Sequence, residues 1–271
     1  METRQELIIK ELGVKPEIDP AKEIQARQTF LEQYLGYAGV NGFVLGISGG
    51  QDSLLAGILA QRAVEARRAA GHNASFHAVL LPYGEQADRA DALLALQTIQ
   101  PDFTHDLDIQ PGTDGLAESF ATSEAKDLAD YHKGNVKARM RMIAQYAIAG
   151  DNGLVVIGTD HAAEAVTGFF TKYGDGGADV LPLSGLSKRQ GKQMLQELGV
   201  PDVFITKKPT ADLLDGRPGQ PDEDELAISY EIIDDYLEGK DVKPEDAEVI
   251  EARFIATVHK RSQPVAYEAV A

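Results

Sequence analysis

The stretch GFVLGISGGQDSLLAGILA, residues 42–60, is the feature that most constrains how this chain can fold. A short apolar run precedes a turn made of glycines, serines and one aspartate, and a run rich in leucine and alanine follows it. A buried strand, a glycine-rich turn and a helix in direct succession are the unit from which parallel sheets are built. The N-terminus of a helix placed in this way is suited to binding an anion.

The same alternation of strand and helix continues along the chain. Apolar runs predict strands at 42–47, 75–81, 103–109 and 153–158, and helical periodicity predicts helices at 1–13, 20–38, 53–70, 86–99, 113–122, 134–149, 160–167, 187–198, 225–237 and 245–260. Nearly continuous apolar strands indicate a parallel sheet covered on both faces. We therefore predict an α/β fold in one domain, residues 1–271. It should have a doubly wound, mostly parallel five-stranded sheet flanked by helices, with helical additions at both termini.

Two segments are predicted to be mobile loops near the carboxyl ends of strands or helices. Segment 207–225, KKPTADLLDGRPGQPDEDE, combines three prolines with a cluster of acidic residues. Segment 82–88, PYGEQAD, directly follows a predicted strand. Long loops within a compact domain are usually mobile or functional, so both are expected to move over a ligand site.

Composition excludes several classes of protein. The chain has no cysteine, which excludes disulfides, zinc–thiolate sites and cysteine nucleophiles. Its net charge of −17 disfavours general binding of nucleic acid. No apolar run approaches the roughly 20 residues of a membrane span, and the start METRQELIIKELG does not resemble a signal peptide. We expect a cytoplasmic protein that binds neither nucleic acid nor membrane.

Residues 46–53, GISGGQDS, differ from the common phosphate-binding loop at the positions that matter most. Gln51 and Asp52 stand where that loop has glycine and lysine. An aspartate cannot contact phosphate directly, because the two anions repel, but it could bind a magnesium ion that bridges phosphates. The alternative is a simple turn in which Asp52 and Ser53 only cap the following helix.

The segment Ser48-Gly49-Gly50-x-Asp52-Ser53 resembles the pyrophosphate loop of the ATP pyrophosphatases, which split ATP into AMP and pyrophosphate. Further stretches narrow the resemblance: 134–150, 158–179, 181–190, 209–215 and 222–238. With them, the chain from about residue 20 to 261 resembles the ammonia-dependent NAD synthetases. The resemblance implies ATP-dependent amidation of deamido-NAD by ammonia through an acyl-adenylate, with Mg²⁺. It also implies a homodimer whose interface includes helix 134–149.

The resemblance assigns roles to individual residues. For ATP it implies Gly46, Ile47, Ser48, Gly49, Gly50, Gln51, Asp52, Ser53, Thr159, Lys188 and Thr210, with Lys188 also the catalytic residue. For Mg²⁺ it implies Asp52 and Glu164. For deamido-NAD it implies Arg139, Lys172, Asp179, His259 and Lys260.

Other interpretations of these residues and of the function stay open at this point. Glu164 taken alone is typical of a solvated helix face, Arg139 could be a surface charge, and His259 with Lys260 would be favourable at any helix C-terminus. His161 needs no chemical role. The chain could be another ATP pyrophosphatase ligase, such as a GMP synthetase core or a tRNA-modifying enzyme, although its charge and lack of cysteine disfavour tRNA thiolation. It could also be an ATP-binding module without catalysis.

Overall fold

The computed structural model describes residues 2–84, 88–210, 213–217 and 219–267. Its strands are β1 (Gly42–Gly46), β2 (Ser75–Leu80), β3 (Phe103–Asp106) and β4 (Val155–Val156). Its helices are α1 (Arg4–Leu12), α2 (Pro20–Ala38), α3 (Gln51–Ala69), α4 (Arg89–Ile99), α5 (Gln110–Glu124), α6 (Asp130–Asn152), α7 (Ala162–Thr167), α8 (Lys188–Glu197), α9 (Asp202–Thr206), α10 (Asp222–Leu226), α11 (Tyr230–Leu237), α12 (Pro244–Ala256) and α13 (Val258–Arg261).

The strands form one sheet in the order β3-β2-β1-β4, and all neighbouring strands pair in parallel. The predicted count of five strands is wrong for the described residues. At the fifth position there is one isolated parallel bridge, between Ile157 and Val180. Pro182 follows within two residues and has no N–H to donate to a ladder, which accounts for the short pairing.

Both faces of the central strands β1 and β2 are buried, as their apolar sequences predict. Phe43 and Leu45 of β1 point into a core shared with α2, α3, α4 and α8. Val44 of β1 and Val79 of β2 point into a second core on the opposite face, which includes residues of α6. Because side chains alternate along a strand, helices on both sides are needed to bury strands of this composition.

The helices added at the two ends of the chain pack together rather than separately. Ile8 of α1, Leu237 of α11 and Ile250 of α12 share a core with Val166 of α7. The predicted helix 225–237 is two helices, α10 and α11, because Ala227 adopts φ +52° and Ser229 caps the second helix. The predicted helix 245–260 is likewise divided into α12 and α13.

The predicted loops are only partly described. Residues 85–87 of segment 82–88, and residues 211, 212 and 218 of segment 207–225, lie outside the described residues. The described part of segment 207–225 contains α10 and an isolated antiparallel bridge between Thr210 and Pro221. Within the described residues, none of the helices combines the length and the apolar character needed to cross a membrane.

Candidate active site

The order of the strands marks one crevice as the place for a ligand. From β1 the chain moves outward to β2 and β3, and it then crosses to β4 on the other side of β1. The loops that leave the carboxyl ends of β1 and β4 therefore run to opposite sides, and open α/β sheets bind ligands between such loops. Here this crevice is a cavity of about 420 Å³ that both loops line.

The loop after β1 has a conformation that requires glycine. Gly49 adopts φ +79°, and a Cβ atom there would lie 2.6 Å from the backbone nitrogen of Ala92. The Ser48 hydroxyl accepts a hydrogen bond from the N–H of Gly50 at 3.2 Å and lies 3.1 Å from the Ser53 hydroxyl. The two serines thus hold the loop closed on itself while Gly49 packs against α4.

Helix α3 begins directly after this loop and has no side-chain cap. Gly50 is the N-cap residue, and in the described part of the chain this position makes no side-chain cap hydrogen bond. The Asp52 carboxylate instead accepts a hydrogen bond from Lys188 Nζ at 2.7 Å. Neither Asp52 nor Ser53 is the N-cap residue of α3, because that position is Gly50. A helix N-terminus at the edge of a cavity is suited to binding an anion.

Four side chains from three separate regions meet beside the loop. Lys188 Nζ lies 3.4 Å from His161 Nε2, which in turn lies 3.7 Å from Asp52 and 3.5 Å from Glu164. Lys188 and His161 are only 5% and 3% exposed. Lys188 begins α8 and Glu164 lies in the first turn of α7, so the starts of two helices supply the cation and the second carboxylate.

Burial shifts the protonation of these groups in opposite directions. Burial by itself would raise the pKa of Asp52, but the ammonium of Lys188, the adjacent His161 and the hydrogen bonds to the carboxylate together outweigh it and keep the pKa below its ordinary value. Burial raises the pKa of Glu164 well above its ordinary range, with a further contribution from the neighbouring carboxylates. Burial lowers the pKa of His161 to about 4, and burial with adjacent carboxylates raises the pKa of Asp160 to about 8.

These residues fit a divalent cation. Donor atoms of Asp52, His161 and Glu164 all lie within 4.8 Å of one another. Oxygens bound to one Mg²⁺ lie about 2 Å from it, which places them roughly 3–4 Å apart. Among the described residues, no lysine or arginine forms an ion pair with Glu164, so a cation would neutralise a carboxylate that burial otherwise disfavours.

Nearly all of the positions predicted for ATP and Mg²⁺ come together in this cavity. Those that line it are Gly46, Ile47, Ser48, Gly50, Gln51, Asp52, Ser53, Thr159, Glu164, Lys188 and Thr210. Gly49 is not among the lining residues, because it packs against α4. The side chain of Gln51 donates to the carbonyl of Ile205 at 3.2 Å, and so it also anchors the segment that leads to Thr210.

Four of the five positions predicted for the dinucleotide form a connected group. Arg139 donates to the carbonyl of Lys172 at 3.2 Å, and the Lys172 ammonium donates to the carbonyl of His259. Lys260 lines the cavity and donates to the carbonyl of Phe170 at 2.7 Å.

Asp179, the fifth predicted position, lies elsewhere, against the sheet. It accepts from the N–H of Val156 at 2.7 Å and from the Tyr146 hydroxyl at 3.1 Å. Tyr146 lies two turns beyond Arg139 on the same face of α6. In the free chain Asp179 thus stabilises β4, and its contact with a ligand stays a prediction.

Several residues at the site were not predicted from the sequence. His161 lies at the centre of the Asp52–Glu164 cluster, although no role was assigned to it. Arg141 and Asp175 also line the cavity. Asp160 and His161 lie in the loop that follows β4, so their place beyond the carboxyl end of a strand was a usable signal. Arg141 had no such signal in the sequence, because a basic residue on a predicted helix can face either solvent or a ligand.

Known proteins resemble this chain over nearly its whole length. A model of the NAD synthase family matches residues 23–265. The NH(3)-dependent NAD(+) synthetase of Bacillus licheniformis is 61% identical over 262 residues, which cover 97% of this chain and 96% of the relative. The NH(3)-dependent NAD(+) synthetase of Bacillus subtilis is 58% identical over 260 residues, which cover 96% of each chain.

Solved structures give the same result for the fold. NAD+ synthetase from Burkholderia pseudomallei superposes with a TM-score of 0.84 at 48% identity, covering 96% of this chain and 97% of that one. NMN synthetase from Francisella tularensis superposes with a TM-score of 0.79 at 34% identity, covering 92% of this chain and 99% of that one. The resemblance seen in the sequence motifs is confirmed, and the chain belongs to the NAD synthase family.

Proposed function

We propose that this chain converts deamido-NAD, ATP and ammonia into NAD, AMP and pyrophosphate by way of an acyl-adenylate. The activity of an NH3-dependent NAD synthetase, a ligase, follows from the close relatives. The observation that carries the proposal for this site is one cavity lined by the start of α3, by the buried Lys188, and by Asp52 and Glu164. The chain would act as a single synthetase domain over residues 1–271.

The two-step chemistry explains why such a cavity is needed. A carboxylate is a poor acceptor for an amine, because an oxide ion would have to leave. Attack of the nicotinate carboxylate on the α-phosphate of ATP transfers AMP to that oxygen and releases pyrophosphate. Ammonia then attacks the activated carbonyl carbon, and AMP leaves with the oxygen. The loop 46–53 and the uncapped N–H groups of α3 would hold the pyrophosphate as its negative charge grows.

Lys188 is the residue to which we assign a direct catalytic part. Its ammonium is buried, and although burial favours the neutral form, the carboxylates of Asp52 and Glu164 outweigh this and raise its pKa. It therefore stays charged and can stabilise phosphate oxygens in a site of low dielectric. Asp52 and Glu164 would hold Mg²⁺, which would supply positive charge to the phosphates when bound. Thr159 and Thr210 would complete the ATP site from the cavity wall.

The dinucleotide positions and the homodimer are proposed together. Arg139, Lys172, His259 and Lys260 form a basic group of which Lys260 lines the cavity, and such a group suits the phosphates of deamido-NAD. Helix α6 also exposes apolar side chains such as Ile143, 52% exposed, and Tyr146, 36% exposed. Exposed apolar side chains on the helix that carries Arg139 support an interface there between two copies of the chain. Light scattering of the wild type and of Ile143→Asp tests this, since only the wild type should be dimeric.

The test of the function is a product assay with pure protein, ATP, Mg²⁺, deamido-NAD and either ammonium or glutamine. We expect NAD, AMP and pyrophosphate in equal amounts with ammonium. With glutamine we expect only the turnover that contaminating ammonia explains, because the chain has no cysteine to serve as the nucleophile of an amidohydrolase. Robust turnover with glutamine would contradict the proposal.

The same assay separates the alternatives. A GMP-synthetase-like ligase would release AMP and pyrophosphate with a purine nucleotide and not with deamido-NAD. Because a similar solved structure is an NMN synthetase, the deamido form of NMN should be included as a competing substrate. An ATP-binding module would bind ATP without cleaving it. The cytoplasmic location and the mobility of segments 82–88 and 207–225 stay predictions.

A further inference from the structure

Segment 213–217 is held against the first turns of α6 by two carboxylates, one on each side of the contact. The Asp130 carboxylate of α6 accepts hydrogen bonds from the backbone N–H of Asp215 at 2.9 Å and of Gly216 at 3.0 Å. The Asp215 carboxylate of the segment accepts from Lys133 Nζ at 3.0 Å and from Lys137 Nζ. Each side of the contact therefore supplies both donors and acceptors.

Lys137 lies at the centre of this contact and is only 4% exposed. Its ammonium lies 4.1 Å from the centroid of the Tyr83 ring, which belongs to the loop after β2. Among the described residues, Asp215 is the carboxylate that pairs with Lys137. A buried ammonium without such a partner is strongly unfavourable. Segment 213–217 and the loop that carries Tyr83 thus meet at the same lysine.

The docked segment also forms part of the ligand cavity. Leu213 and Leu214 line the cavity next to Gly134 and Asn135 of α6. A Cβ atom on Gly134 would lie 3.2 Å from the carbonyl oxygen of Leu213, so the backbone of the segment touches the helix directly. If the segment leaves α6, two apolar side chains leave the cavity wall with it.

We infer that Asp215 is a positioning residue for the synthetase reaction, because its bridge to Lys133 and Lys137 keeps Leu213 and Leu214 in place as a wall of the ATP cavity. This inference rests on the proposed function. Asp215 touches no substrate; it acts through the segment. Because the Asp215 carboxylate is 45% exposed, losing it need not unfold the whole chain: the segment can leave α6 locally and let water reach Lys137. Its effect should instead appear in the fraction of molecules whose cavity is complete, and the apparent affinity for ligand falls with that fraction.

The structure offers a matched control for testing this. Asp114 also pairs with Lys133, at 3.1 Å, and its side chain is 44% exposed, nearly the same as that of Asp215. It does not line the cavity and makes none of the contacts of segment 213–217. Asp215→Asn and Asp114→Asn therefore remove the same charge beside the same lysine. Only the first removes the bridge to Lys137.

The experiment compares both variants and Asp215→Glu with the wild type in three measurements: KM and kcat for ATP, calorimetric binding of ATP with Mg²⁺, and amide hydrogen exchange of residues 213–217. For Asp215→Asn we expect a KM and a dissociation constant for ATP raised about tenfold, equivalent to 1.4 kcal/mol. We also expect faster exchange of the segment and a thermal midpoint within about 2 °C of the wild type, because the segment leaves α6 locally before the chain unfolds globally. Asp215→Glu should recover part of the affinity, and Asp114→Asn should stay within about twofold of the wild type.

The inference is wrong if Asp215→Asn and Asp114→Asn change the ATP parameters equally, or if exchange of residues 213–217 is the same in both. It is also wrong if Asp215→Asn lowers only the thermal midpoint, because a purely structural bridge would do that. Failure of the proposed function looks different: the wild type itself would then form no NAD, whereas calorimetry and hydrogen exchange would still report on the bridge.

Discussion

Asp52 and Glu164 should respond differently to neutralisation, although both are proposed to hold the same cation. Asp52→Asn removes the charged partner of Lys188, whose side chain is 5% exposed and whose ammonium lies 2.7 Å from the carboxylate. Glu164→Gln breaks no ion pair with a lysine or arginine of the described residues, and it replaces a carboxyl group whose pKa burial raises well above its ordinary range. We therefore expect the first variant to lose stability without metal and the second to keep it.

The magnitude follows from the burial of the pair. Removing one partner of a fully buried ion pair costs about 3–5 kcal/mol. The Asp52 side chain is 23% exposed, and the asparagine oxygen can still accept from Lys188, so we expect a loss of about 2 kcal/mol. For a chain of this size that is a fall of roughly 4–8 °C in the thermal midpoint. Glu164→Gln should change the free energy of unfolding by less than about 1 kcal/mol.

Activity should not show this difference. Each variant removes one ligand of the proposed cation, and we expect each to lower the rate about 10²-fold, or roughly 2.7 kcal/mol of transition-state stabilisation. Each should also need more Mg²⁺ to reach half of its maximal rate.

The assay is thermal unfolding in EDTA, followed by steady-state rates over a titration of Mg²⁺. Equal midpoints for the two variants in EDTA would refute the reasoning about Lys188. Unchanged rates at limiting Mg²⁺ would mean that Asp52 and Glu164 do not hold the cation and have structural roles only.

Three further outcomes are expected. Gly49→Ala should lower the free energy of unfolding by about 3 kcal/mol, because the new Cβ would lie 2.6 Å from the backbone of Ala92 at a residue with φ +79°. Gly50→Ala, whose Cβ would lie 3.3 Å from a serine hydroxyl, should lower it by about 1 kcal/mol or less, and chemical denaturation compares the two variants. Segment 207–225 should be cleaved quickly by proteases in the free protein, and more slowly when ATP and deamido-NAD are both present than with either alone; equal cleavage would identify a fixed loop. Burial raises the pKa of Asp234 to about 6, so the folded state binds a proton at this carboxylate more tightly than the unfolded chain does. The stability of the wild type relative to Asp234→Asn should therefore increase as the pH falls from about 6 to about 4, and a difference that does not change with pH would contradict this.

Local features of the fold could be predicted because they depend on neighbouring residues in the chain. Helix α2 spans the predicted 20–38, with Asp19 as its N-cap, Pro20 in its first turn and Gly39 after its last residue. The unit of β1, glycine loop and α3 is likewise encoded in contiguous residues. These elements follow from periodicity, capping and glycine conformation, which a sequence displays directly.

Other features were predicted wrongly or were missed, because they do not depend on neighbouring residues in the chain alone. The fifth strand is reduced to a bridge at Val180, because the length of a strand depends on which neighbour it finds and how far the two can pair. The break at Ala227 requires a left-handed residue other than glycine, which local preference does not indicate. His161 was left without a role because its importance depends entirely on the two carboxylates that lie near it.

The sequence alone determined what kind of site this protein has: a strand, a glycine-rich loop and a helix, with an aspartate where a lysine is usual, and family motifs at fixed positions around it. The tertiary structure decided which distant side chains complete the site. Lys188 reaches Asp52 from 136 residues away, and Lys137 binds Asp215 across 78 residues. Such pairs form because the parallel sheet brings the carboxyl ends of its strands to one edge and the helices pack across it. No local pattern in the chain records contacts that arise only from that packing.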